Sequence, residues 1–404
     1  MAFSTLNRID NKSALGFDDV ALQPDAQQCH PDQIGITAHF STSIPLRIPF
    51  VTLPAVTDLA MAIHIAQQGG IGILPNTISA GMQADLVRQV KRSQSRIVTD
   101  MVMVTPETSI IEALEYKQRY NINLIPVVEG GTQFLAGFIA LSDDMDAYDP
   151  EHTVSHYISD QPYASVPQSD DMLEEAYRLM DSQNVTHVAV TDHQGRFTAL
   201  IRKSDRDKAA AFPNATVNSK GALRVAAMVG THSKEYDRVN ALMDAGVDAI
   251  VIYANHGHSK EMLDIITHIR RQRSADVDVI AGNIMTEQSA MAVIDAGANG
   301  ILIGQNNEYK MLGIGMPMFS SIMQVSEAAS LHQIPVSVGC MDTEQLALDQ
   351  QVKAFAAGAN NLLIQNPNMI ETSLSALRYA IAYTGCVNSR EFALRSRFIT
   401  LDRK

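Results

Sequence analysis

Two histidines frame a glycine in Asn255-His256-Gly257-His258-Ser259, directly after the apolar run AIVIYA at 249–254. Imidazoles titrate near neutral pH, so His256 and His258 are candidates for general acid and base, or for metal ligands. They have no acidic partner at metal-ligand spacing, so no metal is expected, and a structural or capping role competes with the chemical one. Cys340 follows a second apolar run, PVSVG at 335–339, with Asp342 two residues on. A thiol there becomes a nucleophile if a cation or a helix N-terminus lowers its pKa; otherwise it is a small buried hydrophobe. A third group lies mid-chain, where Arg202, Lys203 and Arg206 surround Asp205 and suit a phosphate. Asp143 occupies the matching place in an earlier segment. Either Asp could equally cap a helix N-terminus.

These residues sit at the ends of regular elements. Eight short apolar runs read as strands: 49–53, 70–74, 224–229, 249–254, 278–282, 300–304, 335–339 and 361–365. Their near-continuous apolar character fits strands covered on both faces. Helical patterns at 79–93, 234–245, 258–272, 286–296, 319–331, 345–357 and 373–383 separate them. Eight β/α units are the recipe of an α/β fold, the (β/α)8 TIM barrel, whose sites are built from the loops after the strands. Those loops offer Asn255, Asn283, Gln305, Asn306, Gln365 and Asn366 as ligand candidates, beside His256, His258, Cys340 and Asp342.

The barrel is interrupted. Residues 1–95 and 211–404 are expected to form it, and 96–210 to form an inserted module with halves at about 96–148 and 155–210. The insertion repeats itself: 104–144 and 165–205 both run turn, helix, apolar strand, polar turn, apolar strand, Ser-Asp. Tandem repeats usually pack together to bury a face that neither buries alone.

Composition narrows the function. The 404 residues are 46% apolar and 19% charged, with a net charge of −13. An acidic chain without a clustered basic face is not expected to bind nucleic acid; the densest basic stretch, Arg270-Arg271-Gln272-Arg273, reads as a solvated helix end. No run approaches the roughly 18–20 apolar residues of a membrane span, and MAFSTLNRIDNKS has no apolar signal core. Cys29, Cys340 and Cys386 are too scattered for a disulfide framework or a zinc site, so a reducing, cytoplasmic setting is expected.

Much of the chain resembles the IMP dehydrogenase/GMP reductase family. The resemblance rests on GFDDVALQP (16–24), GGIGILPNTIS (69–79), FPNATVNSKGALRVAAMVGT (212–231), AGVDAIVIYANHGHSK (245–260), AGNIMTEQSAMAVIDAGANGILIG (281–304) and ALRYAIAYTG (376–385). It implies a TIM barrel, a purine nucleotide and NAD(P) on the barrel face, and a barrel-mediated tetramer. It also implies that 96–210 is a pair of CBS domains holding an adenine nucleotide, with Asp143 and Asp205 on the ribose hydroxyls. Such a module could join tetramers into octamers, and a true family enzyme is a further candidate partner in mixed oligomers.

The family pattern departs at the strand ends. Its G-x-G-x-x-C loop after the sixth strand supplies a thiolate nucleophile; here Gly304 is followed by Gln305-Asn306-Asn307-Glu308. Its Asp after strand four is Tyr253, its Asp-Gly-Gly after strand seven is Gly339-Cys340-Met341, and its Gly-Ser after strand eight is Gln365-Asn366. Its flap is reduced to 367–372. Side chains in place of glycine block the close approach of phosphate to backbone N–H groups. The expectation is therefore a catalytically degenerate, nucleotide-responsive regulator or scaffold. The alternatives are an active purine-nucleotide oxidoreductase with rearranged loops and a TIM-barrel enzyme of other chemistry.

Overall fold

The computed structural model describes residues 14–99, 101–120, 122–159, 163–272, 277–305, 312–340 and 345–401. The chain separates into two compact units, one of 1–80 with 226–404 and one of 81–225.

The first unit contains a closed parallel barrel of eight strands. In chain order these are β1 (Phe50–Thr52), β2 (Ile71–Leu74), β3 (Ala226–Val229), β4 (Ala249–Tyr253), β5 (Asp278–Gly282), β6 (Gly300–Gln305), β7 (Val336–Cys340) and β8 (Asn361–Ile364). Each is followed by a helix: α1 (Leu59–Gln67), α2 (Ala80–Ser93), α3 (Glu235–Asp244), α4 (Lys260–Arg271), α5 (Glu287–Asp295), α6 (Met318–Ser330), α7 (Leu348–Ala356) and α8 (Ile370–Tyr383). α2 is counted with the second unit. The eight-stranded barrel was legible in the sequence; α1 was not, because LAMAIHIAQ is apolar almost all round and shows no helical period.

Alternation along each strand divides its side chains between the barrel interior and the helix layer. Val51, Ile71, Ile73, Met228, Val251, Ile280, Leu302 and Leu363 share the interior cluster. Truncating one such residue, Leu302→Ala, should cost about 2–5 kcal/mol. At the N-terminal end of the strands a hairpin, Ala38–His39 with Pro45–Leu46, closes the barrel. Phe40, Ile44 and Leu46 enter the same interior cluster. The hairpin is tied down by hydroxyls: Ser41 and Ser43 both donate to the buried Asp278 carboxylate at the start of β5.

The second unit carries a twofold repetition. Helix Ile110–Tyr120 precedes the antiparallel pair Leu124–Val128 and Leu135–Ala140. Helix Met172–Gln183 precedes the antiparallel pair His187–Thr191 and Phe197–Arg202, with Ala164–Pro167 added in parallel. Each half has its own core. Val128, Leu135 and Phe138 of one half form a shared cluster with Ala189, Phe197 and Leu200 of the other. No helix among the described residues is long and apolar enough to cross a membrane.

Candidate active site

The ends of β4 and β6 meet at Asn283, the residue after β5. It is 2% exposed and is joined to Gly282 by a cis peptide bond. Its N–H donates to the Ala254 carbonyl after β4 at 2.9 Å, and its own carbonyl accepts from the Gly257 N–H at 2.9 Å. Its Oδ1 accepts from the Gly304 N–H at the end of β6, again at 2.9 Å. Its Nδ2 is buried with no partner among the described residues. A buried amide nitrogen left without an acceptor needs an explanation, and at a barrel mouth the simplest one is a ligand.

Two glycines allow this convergence. A Cβ on Gly257 would stand 2.4 Å from the Asn283 carbonyl oxygen, and one on Gly282 would stand 2.7 Å from Leu302 Cβ. The glycine between the two histidines is thus fixed by backbone approach. His256 is exposed, His258 is half-buried, and their ring centroids are 6.5 Å apart at 43°. Ser259 caps α4 by accepting from the Met262 N–H at 3.2 Å. The backbone N–H of Glu261 itself, and after it the Ser259 hydroxyl, hold the Glu261 carboxyl below the usual carboxylate range.

The other strand ends are braced by side chains. Thr57 Oγ1 donates to the Leu53 carbonyl at 2.6 Å and lies 2.8 Å from Thr52 Oγ1, pinning the turn after β1. After β3, Glu235 accepts from the Gly230 N–H at 3.3 Å and pairs with Arg238 at 3.0 Å. Arg238 also donates to the Ile78 carbonyl after β2 at 3.0 Å. After β8, Gln345 Oε1 accepts from the N–H groups of Gln365 and Asn366 at 3.3 and 3.1 Å. Asn366 is exposed and caps the turn Pro367–Met369. Sequence reasoning missed Gln345, Arg238 and the Gly257 contact. The only sequence signal was the glycine between two histidines.

Cys340 pairs in register with Gln305 at the edge of β6 and β7. Leu302 aligns with Ser337, Ser337 with Asn361, and Leu363 with Val51. Leu302, Leu363 and Val51 face the interior, so Ser337 and Gly339 do too. Cys340 therefore shares the parity of Val336 and Val338, toward the helix layer, and is 6% exposed. Asn255 is exposed after β4. Asn306 and Asp342 lie outside the described residues, as do Asn307, Glu308, Met341 and Arg273.

In the second unit, Asp205 is 2% exposed and takes Arg202 on both oxygens, at 2.7 and 3.1 Å. Burial pushes its carboxyl above the usual range, and the Arg202 charge pulls the other way. Arg206 is bound by Asp181 at 2.9 and 3.0 Å. Asp143 is fully exposed and held low by Lys117 at 2.6 Å. Lys203 starts helix Lys203–Ala211. The basic groups expected around Asp205 are thus largely engaged within the protein.

A closed (β/α)8 barrel, with a hairpin packed into one end and a polar junction at the other, defines the TIM-barrel class, whose members build their sites from the loops after the strands. The profile of the IMP dehydrogenase / GMP reductase domain matches residues 14–368, and the chain belongs to that family. It is 33% identical over 365 residues to inosine-5'-monophosphate dehydrogenase of Aquifex aeolicus, covering 88% of this chain and 73% of that one. It is 32% identical over 361 residues to the enzyme of the same name from Rhizobium tropici, with 87% and 71% covered. GMP reductase from Trypanosoma brucei, solved with guanosine 5'-triphosphate, superposes with a TM-score of 0.83 at 26% identity, covering 99% of this chain and 100% of that one.

These relatives correct the expectation of a degenerate regulator, scaffold or pseudoenzyme. Proteins named as IMP dehydrogenases are about a third identical to this chain over most of its length, and GMP reductase shares its fold, which favours an active enzyme. The expectation failed because it counted losses loop by loop. A mouth assembled from backbone groups, such as the junction at Asn283, leaves little trace in a comparison of side chains.

Proposed function

We propose that the chain is a purine-nucleotide oxidoreductase of the IMP dehydrogenase or GMP reductase type, with rearranged catalytic loops. Its near end-to-end likeness to proteins bearing those names carries the reading. The nucleotide lies over the barrel mouth, where Asn283 offers its Nδ2 and Asn255, Gln365 and Asn366 line the rim. NAD(P), when bound, supplies the hydride acceptor or donor. His256 and His258 are the candidate groups for moving a proton to or from water at the purine. Gln305-Asn306-Asn307 replaces the family's thiol loop, and Cys340 is the one cysteine that ends a barrel strand. Its parity assigns it to the wall. Asp342 remains a candidate from its sequence position.

The test is turnover: IMP with NAD, and GMP with NADPH. One pair should react with a turnover number in the range of about 1–10³ per second, and Asn283→Ala should reduce it at least about tenfold. No turnover with either pair, from protein that binds IMP in calorimetry, would overturn the reading.

We also read 96–210 as a CBS pair that binds a purine nucleotide, adenine nucleotides first among them. The twofold repetition and the shared core support this. A ligand at about 100 times its Kd stabilises the folded state by about 2.7 kcal/mol. ATP, ADP, AMP and GTP should therefore be compared by thermal shift. An unchanged melting temperature with all four at millimolar concentration would leave the repeat a structural module.

A further inference from the structure

We infer that Gly257 is a positioning residue that sets the Asn283 amide as a hydrogen-bond donor to an oxygen of the bound nucleotide. This deepens the proposed function and rests on it. Two neighbouring strand ends hold this one residue. The loop after β4 takes both backbone polar groups of Asn283, through Ala254 and Gly257. The end of β6 takes the side-chain Oδ1, through the Gly304 N–H. What remains is Nδ2, buried and without a partner among the described residues. An amide whose oxygen already accepts a backbone N–H cannot flip without stranding that donor, so Nδ2 is committed to donating. Its match is an acceptor: a ribose or phosphate oxygen, or the purine carbonyl.

Gly257 makes this arrangement possible. An added Cβ would meet the Asn283 carbonyl oxygen at 2.4 Å, its carbonyl carbon at 2.9 Å and Ile284 Cδ1 at 2.9 Å. Two of those three contacts are backbone. A flexible side chain cannot swing away to relieve them, so the Asn283 peptide itself must move. The backbone of Gly257 is not in the left-handed region, so the requirement for glycine is one of space alone. His256 and His258 need not touch the ligand for the segment between them to matter.

The experiment is a double-mutant cycle in the full chain, with IMP as the probe, read by calorimetry and by steady-state kinetics. Gly257→Ala should weaken IMP at least about tenfold, and Asn283→Ala should weaken it similarly. The double variant should be no weaker than Asn283→Ala alone, because residues coupled through one contact are not additive. A Gly257 that serves only the fold would weaken IMP equally in both backgrounds, and that outcome would sink the inference. Unchanged affinity in Gly257→Ala would do the same. If Gly257→Ala does not fold, the cycle is repeated with Ile284→Val in all four proteins, which eases the side-chain overlap and keeps the carbonyl one. Wild-type protein that binds neither IMP nor GMP refutes the proposed function itself; wild-type binding with an additive cycle refutes only the role of Gly257.

Discussion

At the scale of single residues, an atom's neighbours decide its chemistry more than its type does. Cys340 drew attention as a thiol at the right end of a strand, yet its parity places it with Val336 and Val338 on the helix side. Cys340→Ser should therefore keep turnover within about tenfold of wild type, with a small loss of melting temperature. A fall of about a thousandfold would show instead that the segment after β7 turns the thiol into the mouth. Asp205 reads as a ligand group in sequence, but both of its oxygens are taken by Arg202. Removing one partner of a fully buried pair costs about 3–5 kcal/mol. Arg202 is 27% exposed, so Asp205→Ala should cost nearer 2 kcal/mol on that scale, measured by urea unfolding of the full chain. An unchanged midpoint would mean that the pair contributes nothing net. Asn283 was legible as a polar residue after a strand. Its bond to the Gly257 N–H was not, because a backbone contact across 26 residues has no side-chain signature.

At the scale of elements, the barrel strands were readable because their apolar runs are long enough to show themselves. The run at 278–282 is observed with those bounds, and the others shift by one or two residues. The pairing of Val20–Leu22 with Phe398–Thr400 was invisible: three residues are too few for a period, and the partners lie at opposite ends of the sequence. Strand His187–Thr191 carries a pH effect. His187 packs edge-on against Phe138 of the other half, ring centroids 4.6 Å apart, and burial holds its imidazole below the ordinary value. The unfolded chain binds the proton more readily than the folded one. The contribution of His187 is therefore complete above the unfolded value of about 6.5, and it fades as pH falls toward the depressed folded one. Stability should drop on acidification through that window, and His187→Gln should flatten the drop. A pH profile that is the same in both proteins would place the acid sensitivity elsewhere.

At the scale of the whole molecule, several exposed apolar side chains fall late in the sequence of the first unit. Tyr379 and Tyr383 stand one turn apart on α8, 47% and 54% exposed, with ring centroids 5.8 Å apart. Leu394, Ile399 and Leu401 follow, exposed by 73%, 46% and 45%. Single exposed hydrophobic residues are ordinary, but an adjoining pair such as Tyr379 and Tyr383 is a candidate for cover by another protein. We propose that the cover is a second copy, because self-complementary faces close into small rings. A specific interface needs roughly 1,000 Å² or more, which outer helix faces can supply. We therefore expect a homo-oligomer, a tetramer by family resemblance, in light scattering at micromolar concentration. Tyr379→Glu with Tyr383→Glu should lower its mass by placing charge on that face. Added ATP should raise the mass toward an octamer only if it binds the larger state more tightly, since a ligand with equal affinity for both states shifts nothing. If wild type and the double variant are both monomers, this surface has another occupant. If both are tetramers, the interface lies on a different face of the barrel.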